Sequence, residues 1–258
     1  MKSQSTETLA LSLAGQNLIL DPNGAIFWEK ERALIVADLH LGRETVLQKA
    51  GMSFPGGASQ QTLKILAATI ARFEPKTLFI LGDMVHARSG MSLDLNHLIQ
   101  HTRRASLKVN WVLVEGNHDR GSRQAIQRLA IDVYEPPIFM HPFVLTHETT
   151  EPNSLDKVDG MASRQTEGAS NAGNQAPDLS RSMEANSLAS ITLCGHVHPG
   201  FRIPMTRDVV RCFHWNGLEL TLPAFGDISG SKRLHPRIGE TLYLLTGQSV
   251  VPWRRQLR

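Results

Sequence analysis

The chain has 258 residues, 41% of them hydrophobic and 20% charged, with a net charge of +3 and a pI near 9.0. That is long enough for one large α/β domain or two small ones, and the composition is that of a soluble globular protein. It excludes a bilayer-spanning segment, since no apolar run approaches the roughly 18 residues required, and a mildly basic balance permits a polyanionic partner without requiring one.

Two cysteines, Cys194 and Cys212, allow one disulfide but fit better as two buried thiols in a reducing cytosol. The opening Leu-Ala-Leu-Ser-Leu-Ala stretch is broken at Gly15, so no secretory signal is expected and a cytoplasmic location is.

Leu9 to Leu13, Leu18 to Leu20 and Ala25 to Trp28 read as strands separated by Gly15-Gln16-Asn17 and Asp21-Pro22-Asn23-Gly24 turns. They suggest an antiparallel meander. Ala33 to Ala37 is a continuous apolar strand that runs into Asp38-Leu39-His40. Ser59 is expected to cap a helix carrying Leu63, Leu66, Ile70 and Phe73 on one face. Thr77 to Leu81 is the next buried strand, ending in Gly82-Asp83. Ser92 is expected to cap a helix with Leu95, Leu98, Ile99 and Thr102 inward.

Val109 to Val114 leads into Glu115-Gly116-Asn117-His118-Asp119-Arg120, and Ser122 opens a short helix to about Ala130. Phe143 to Thr146 is a strand that ends in His147. The stretch from about 149 to 187 is polar, acidic and free of aromatic residues. It predicts a disordered surface insertion in a single 1–258 domain, either a partner-binding loop or a tolerated insertion. Ser190 to Cys194 then runs into Gly195-His196-Val197-His198. A hairpin is predicted from Val209 to Trp215 and Leu218 to Leu222 around Asn216-Gly217, and Thr241 to Leu245 with Val250 to Trp253 closes the sheet. No internal repeat is present, and Lys232, Arg233, Arg237, Arg254, Arg255 and Arg258 make the C-terminal stretch basic.

Five apolar runs therefore end in metal-binding side chains. The candidate ligands are Asp38, His40, Asp83, Asn117, His147, His196 and His198. In extended backbone, residues i and i+2 share a side, which suits the Asp38/His40 and His196/His198 pairs. With Asp83 shared, seven side chains can hold two ions. A carboxylate, amide and imidazole set without thiolate suits Mn²⁺, Fe or Zn²⁺ better than Ca²⁺ or Cu(I). Two such ions about 3.5–4 Å apart polarise a phosphoryl oxygen and activate water for in-line displacement at phosphorus. His118 follows a ligand directly and is free to act as a general acid or to stabilise phosphoryl oxygens. Asp119 could orient it or satisfy backbone donors. His86, Arg43, Arg88 and Arg120 lie close to the motifs and could bind phosphate. Any one of these residues alone reads as a turn, a core histidine or a solvated arginine; the combination carries the metal reading.

The pattern Asp38-x-His40, Gly82-Asp83, Gly116-Asn117-His118-Asp119, His147 and Gly195-His196-x-His198 resembles the calcineurin-like metallophosphoesterases. The resemblance implies two mixed β-sheets flanked by helices with metals at the strand ends, an α/β fold. It also implies that Asp38, His40, Asp83 and His198 hold one ion and Asp83, Asn117, His147 and His196 the other, with His118 catalytic. Val85-His86-Ala87-Arg88 and Asn117-His118-Asp119 differ from the Ser/Thr protein phosphatase pattern. Val36 to Gly42, Leu81 to Arg88 and Leu222-Pro223-Ala224-Phe225-Gly226 are instead similar to the bacterial DNA-ligase-associated phosphoesterases, DNA damage response endonucleases. That group has a short loop where this chain has its 149–187 insertion. The resemblance implies a DNA repair role beside a ligase and a helicase.

The expectation is an Mn²⁺-preferring dinuclear phosphodiesterase acting on single-stranded or damaged DNA. Two other readings are a hydrolase of small phosphate esters, nucleotides or pyrophosphates, and a non-catalytic scaffold. The intact ligand set and His118 weigh against the scaffold. The sequence leaves the oligomeric state and the endo- or exonuclease polarity open.

Overall fold

Ala33–Ala37 and Thr77–Leu81 bury all five of their side chains, as continuous apolar runs do in parallel strands covered on both faces. They lie at the centre of a computed structural model that describes residues 7–149, 190–206, 208–226 and 230–255. The predicted 149–187 insertion, Thr149 apart, and Arg258 lie outside the described residues.

The elements in chain order are β1 (Leu9–Leu13), β2 (Gln16–Leu20), β3 (Ile26–Trp28), β4 (Ala33–Ala37), α1 (Arg43–Lys49), α2 (Ala58–Phe73), β5 (Thr77–Leu81), α3 (Leu93–Ala105), β6 (Asn110–Val114), α4 (Arg123–Gln127), β7 (Asp132–Tyr134), β8 (Ile138–Met140), β9 (Phe143–Leu145), β10 (Ile191–Cys194), β11 (Pro199–Arg202), β12 (Val209–Trp215), β13 (Glu219–Thr221), β14 (Lys232–Arg233), β15 (Thr241–Leu245) and β16 (Val250–Arg254). They form two mixed sheets with flanking helices. The first runs β1-β2-β3-β4-β5-β6-β7, antiparallel up to β4 and parallel from there. The second runs β14-β11-β12-β13-β10-β9-β8, with β15 joined to β12 and β16 to β15. Within it β9, β10 and β13 are parallel.

Side-chain alternation explains the layers. Ile35, Ala37, Phe79, Leu81, Val112 and Val114 meet Phe143, Leu145, Leu193, Phe213, Leu220 and Tyr243 between the sheets. The alternate residues Leu34, Val36, Leu78, Ile80, Trp111 and Leu113 face Leu63, Leu66 and Ile70 of α2, Leu95 and Ile99 of α3, and Ile126 of α4. The outer face of the second sheet carries a smaller cluster of Phe201, Cys212, Leu242 and Leu244.

The opening meander, the predicted hairpin and the Ser92 cap are present; Ser92 Oγ accepts from Leu95 N at 3.1 Å. Ser59 does not cap α2. The helix starts after Gly57, at φ 88°, and Ser59 lies in its first turn. There the Ser59 amide and hydroxyl donate to the buried Glu44 carboxylate, each at 2.8 Å, and Ser59 Oγ accepts from Gly42 N. A carboxylate from α1 thus satisfies one of the free backbone donors at the start of α2, where the helix dipole favours negative charge. Ser122 stands at the start of α4 but its side chain makes no capping bond. Both cysteines are buried and free.

Candidate metal centre

Five parallel strands, β4, β5 and β6 in one sheet and β9 and β10 in the other, end at the same edge of the sandwich. Their next residues carry the candidate ligands. Asp38 N donates to Gly82 O, His40 N to Asp83 O, and Gly195 N to His147 O, so the strand-end loops are stitched to one another. Leu222 N donates to Cys194 O and Phe225 N to Ala37 O, which draws the Leu222–Gly226 stretch across the seam between the sheets.

The backbone turns sharply at the ligands. Asp38 (φ 55°), His40 (44°), Asp83 (50°), His196 (66°) and His198 (50°) all adopt the left-handed region, and they are half of the ten non-glycine residues that do so among the described residues. Such conformations cost energy and concentrate at functional sites. Glycines make the approach possible, among them Gly82, Gly116 and Gly195, where a Cβ would strike Asp38 Oδ2. A Cβ on Gly82 would run into the His147 ring, and one on Gly116 into the Asp83 carboxylate and amide.

The side chains converge in two groups, Asp38/His40/His198 and Asp83/His147/His196, each with ligand atoms within 4.8 Å of one another. His40 Nε2 and His198 Nε2 are 3.2 Å apart, and His198 Nε2 is 3.3 Å from Asp38 Oδ1. In the other group His147 Nε2 lies 3.0 Å from Asn117 Oδ1, 3.1 Å from His196 Nδ1 and 3.5 Å from Asp83 Oδ1. Asp83 faces both groups, Oδ1 toward His147 and Oδ2 toward His40 at 3.8 Å.

Carbonyl oxygens fix the tautomers, because a carbonyl can only accept. His147 Nδ1–H donates to Leu81 O at 3.0 Å and His198 Nδ1–H to Gly230 O at 3.2 Å. In the neutral rings both Nε2 atoms then carry lone pairs. His147 Nε2, Asp83 Oδ1 and Asn117 Oδ1 therefore face one another as acceptors, beside His196 Nδ1, whose role depends on its tautomer. Asp38 Oδ1 is buried and makes no hydrogen bond of good geometry, its near neighbour being His198 Nε2 at 3.3 Å, while Asp38 Oδ2 accepts from His196 N at 2.8 Å. Converging lone pairs of this kind call for a cation, and the donor set fits a divalent metal in each group. His40 is suited to the same role. Burial, then the charges of His198, His118, His86 and Arg43, drive its pKa down to about 2, which keeps the ring neutral.

A family model matches residues 31–200: Calcineurin-like phosphoesterase. The chain belongs to the calcineurin-like phosphoesterase family. It is a metal-dependent phosphoesterase, a hydrolase, and the family together with the two ligand groups implies divalent metal ions. The phosphoesterase is similar along its length to the nuclease MPE of Pseudomonas putida, with 27% identity over 96% of this chain and 100% of that one and a TM-score of 0.73. Yfce, a phosphoesterase from E. coli, aligns over 86% of this chain and 98% of its own at 13% identity and a TM-score of 0.41. No curated protein matches the chain.

Around the candidate ligands of this phosphoesterase, His118 donates from Nδ1 to His86 O at 2.7 Å and its ring stacks on His86 with centroids 5.0 Å apart. Its Nε2 is 3.8 Å from Asp83 Oδ2, and its backbone amide donates to Asp83 Oδ1 at 3.0 Å. Asp119 does not orient the His118 ring. It is buried and accepts from Val85 N and Gly116 N, each at 3.1 Å, and burial pushes its carboxyl up to about 7 against those two amides.

His86 Nδ1 comes within 3.5 Å of His40 Nδ1. Arg43 also belongs here. Its charge reaches His40 and His86, and its buried Nε has no hydrogen-bond partner. Arg88 and Arg120 are exposed, and among the described residues neither side chain bonds to the ligand cluster. The carbonyls of Leu81, His86 and Gly230 that set the rings are invisible in the sequence, because backbone acceptors leave no residue-type signal.

Proposed function

We propose that this phosphoesterase is a dinuclear, Mn²⁺-dependent phosphodiesterase that cleaves nucleic acid, single-stranded or damaged DNA in particular, in a repair system that also employs a ligase and a helicase. The observation that carries the reading is the end-to-end likeness to the P. putida nuclease, laid over a complete ligand set. In this reading Asp38, His40, Asp83 and His198 hold one ion and Asp83, Asn117, His147 and His196 the second. When bound, the ions supply a Lewis acid for the phosphoryl oxygens and activate water.

The chain's own groups do the rest. Leu81 O and Gly230 O hold His147 and His198 with their lone pairs inward. His118, with Nδ1–H anchored on His86 O, presents Nε2 as the atom that gives a proton to the leaving oxygen. Arg43, with its unpartnered Nε beside His40 and His86, is placed to bind a non-bridging phosphate oxygen. His86 keeps the His118 ring in its plane by stacking.

The test strips the protein with chelator, restores Mn²⁺, and compares a chromogenic phosphodiester with the matching monoester for wild type and His118→Ala. The expected result is Mn²⁺-dependent diester cleavage, lowered by about 10²–10⁴ in the variant with metal content unchanged. A strong monoester preference would replace this reading with a small-ester phosphatase. Metal uptake without turnover on either ester would replace it with a scaffold.

A further inference from the structure

We propose that the edge of the second sheet next to His198 holds the single-stranded nucleic acid flanking the cleaved phosphate, in a groove built by β11, the start of the β11–β12 turn and β14. The proposal rests on the nuclease reading above.

The groove has a volume of about 650 Å³ and is lined by Phe201, Arg202, Ile203, Pro204, Met205 and Arg233, among others. That volume is within the roughly 300–1,000 Å³ of ligand sites. Its position follows from the chain. His198 is followed directly by β11, so Phe201 is three residues, about 10 Å of extended strand, beyond a candidate ligand. β14 is tied to the same point: Lys232 N donates to His198 O, and His198 Nδ1 donates to Gly230 O. Lys232 and Arg233 pair in register with Pro199 and Gly200, and both are exposed. A strand that leaves the ligands along this edge passes Arg233, which lines the groove, while Lys232 alternates to the other face of β14.

The lining chemistry selects the occupant. The apolar part is unusually open: Met205 is fully exposed at the tip, and Ile203 and Pro204 stand beside it. Phe201 forms the inner wall and is backed by Trp253, with ring centroids 4.4 Å apart. Among the described residues no ion pair neutralises Lys232, Arg233 or Arg202; Arg202 Nε donates to Thr206 O. Asp208 stands just before β12, where its amide is held by Thr206 Oγ1. Glu240 is engaged by His214 and by the Arg237 amide. Cations beside exposed apolar side chains fit a strand that offers both phosphates and unpaired bases. A duplex offers its phosphates with the base faces hidden, and an acidic peptide offers no large flat apolar groups.

The test uses the Mn²⁺-loaded full chain with Arg233→Glu and, separately, Met205→Glu, two exposed positions. Each is assayed on an oligothymidylate and on bis(p-nitrophenyl) phosphate, a diester too small to reach the groove. The expected result is a rise of about tenfold or more in KM for the oligonucleotide, with small-diester kcat/KM unchanged. Arg202→Ala/Arg233→Ala should also reduce the slope of log KM against log salt by about 1.4.

An unchanged oligonucleotide KM in both glutamate variants overturns the groove while leaving the nuclease reading intact. Equal losses on both substrates overturn it too. Equal sensitivity of a duplex overturns the single-strand assignment. A wild type that cleaves the small diester and not the oligonucleotide ends the nuclease reading, and the groove with it.

Discussion

Gly82 and Gly15 share a φ of 72° and have opposite surroundings. Nothing lies within 4 Å of a Cβ on Gly15, whereas one on Gly82 would strike the His147 ring. Gly15→Ala should cost about 1–2 kcal/mol of stability, the left-handed penalty alone, and leave metal affinity intact. Gly82→Ala carries that penalty and also displaces His147, so metal content after dialysis against Mn²⁺ should fall well below the wild-type value. Equal metal content in the two variants would mean that His147 has room to move. The residue scale is also where the sequence was most legible. Asp38, His40, Asp83, His147, His196 and His198 all stand just after strands readable as apolar runs, and the structure brings them together. The left-handed turns that aim them leave no such mark, since aspartate and histidine serve equally well in extended backbone.

Elements were legible where burial is continuous and obscure where tertiary partners decide. The sequence Arg43-Glu44-Thr45-Val46-Leu47-Gln48-Lys49 forms α1 with Gly42 at its cap, and neither an apolar face nor a capping side chain announces it. Strands β7, β8, β11 and β14 are two to four residues long, and their pairing comes from the neighbouring sheet edge rather than from propensity. The role of Glu44 was hidden for the same reason: it serves another helix. Glu44→Ala leaves the Ser59 donors without their acceptor, and urea unfolding should report a loss of about 1–3 kcal/mol. A loss below that range would show that water replaces the carboxylate.

At the rim of the second sheet, Glu240 bonds His214 Nε2 at 3.1 Å and the Arg237 amide at 2.8 Å. Burial works against its charge, but the Arg237 amide and His214 outweigh it and hold the carboxyl below its ordinary value. The unfolded chain then binds the proton more readily. The stabilisation is full above the ordinary glutamate pKa of about 4.3 and fades as pH falls through the lower folded value. Glu240→Gln should flatten that acid limb in thermal melts taken between neutral and acidic pH. An unchanged limb would assign the acid sensitivity to other carboxylates.

At the scale of the whole molecule, the candidate ligands come from both sheets. Asp38, His40, Asp83 and Asn117 follow strands of the first, and His147, His196 and His198 follow strands of the second. Bound ions would therefore clamp the sandwich at one edge, in addition to the apolar layer between the sheets. Because they bind the folded state, Mn²⁺ at about 100 times its Kd should add about 2.7 kcal/mol of stability, and chelation should remove it. Calorimetry with and without chelator checks this; an unchanged Tm would mean that Mn²⁺ does not bind the folded chain in preference to the unfolded one. Among the described residues no helix is long and apolar enough to cross a membrane.

The left-handed backbone at Asp38, His40, Asp83, His196 and His198 has a practical consequence for making an inactive variant that still holds its substrate. Alanine at any of these positions removes a ligand and relaxes the loop in one stroke, so a dead variant would not report the shape of the living site. Asparagine tolerates that backbone better than alanine does, and keeps a carbonyl at the aspartate positions. His118 has no such constraint, as it is absent from the positive-φ residues. If His118 is the proton donor proposed above, it is the position at which turnover can be stopped while the cradle keeps its form, and thus the natural choice for holding uncut substrate.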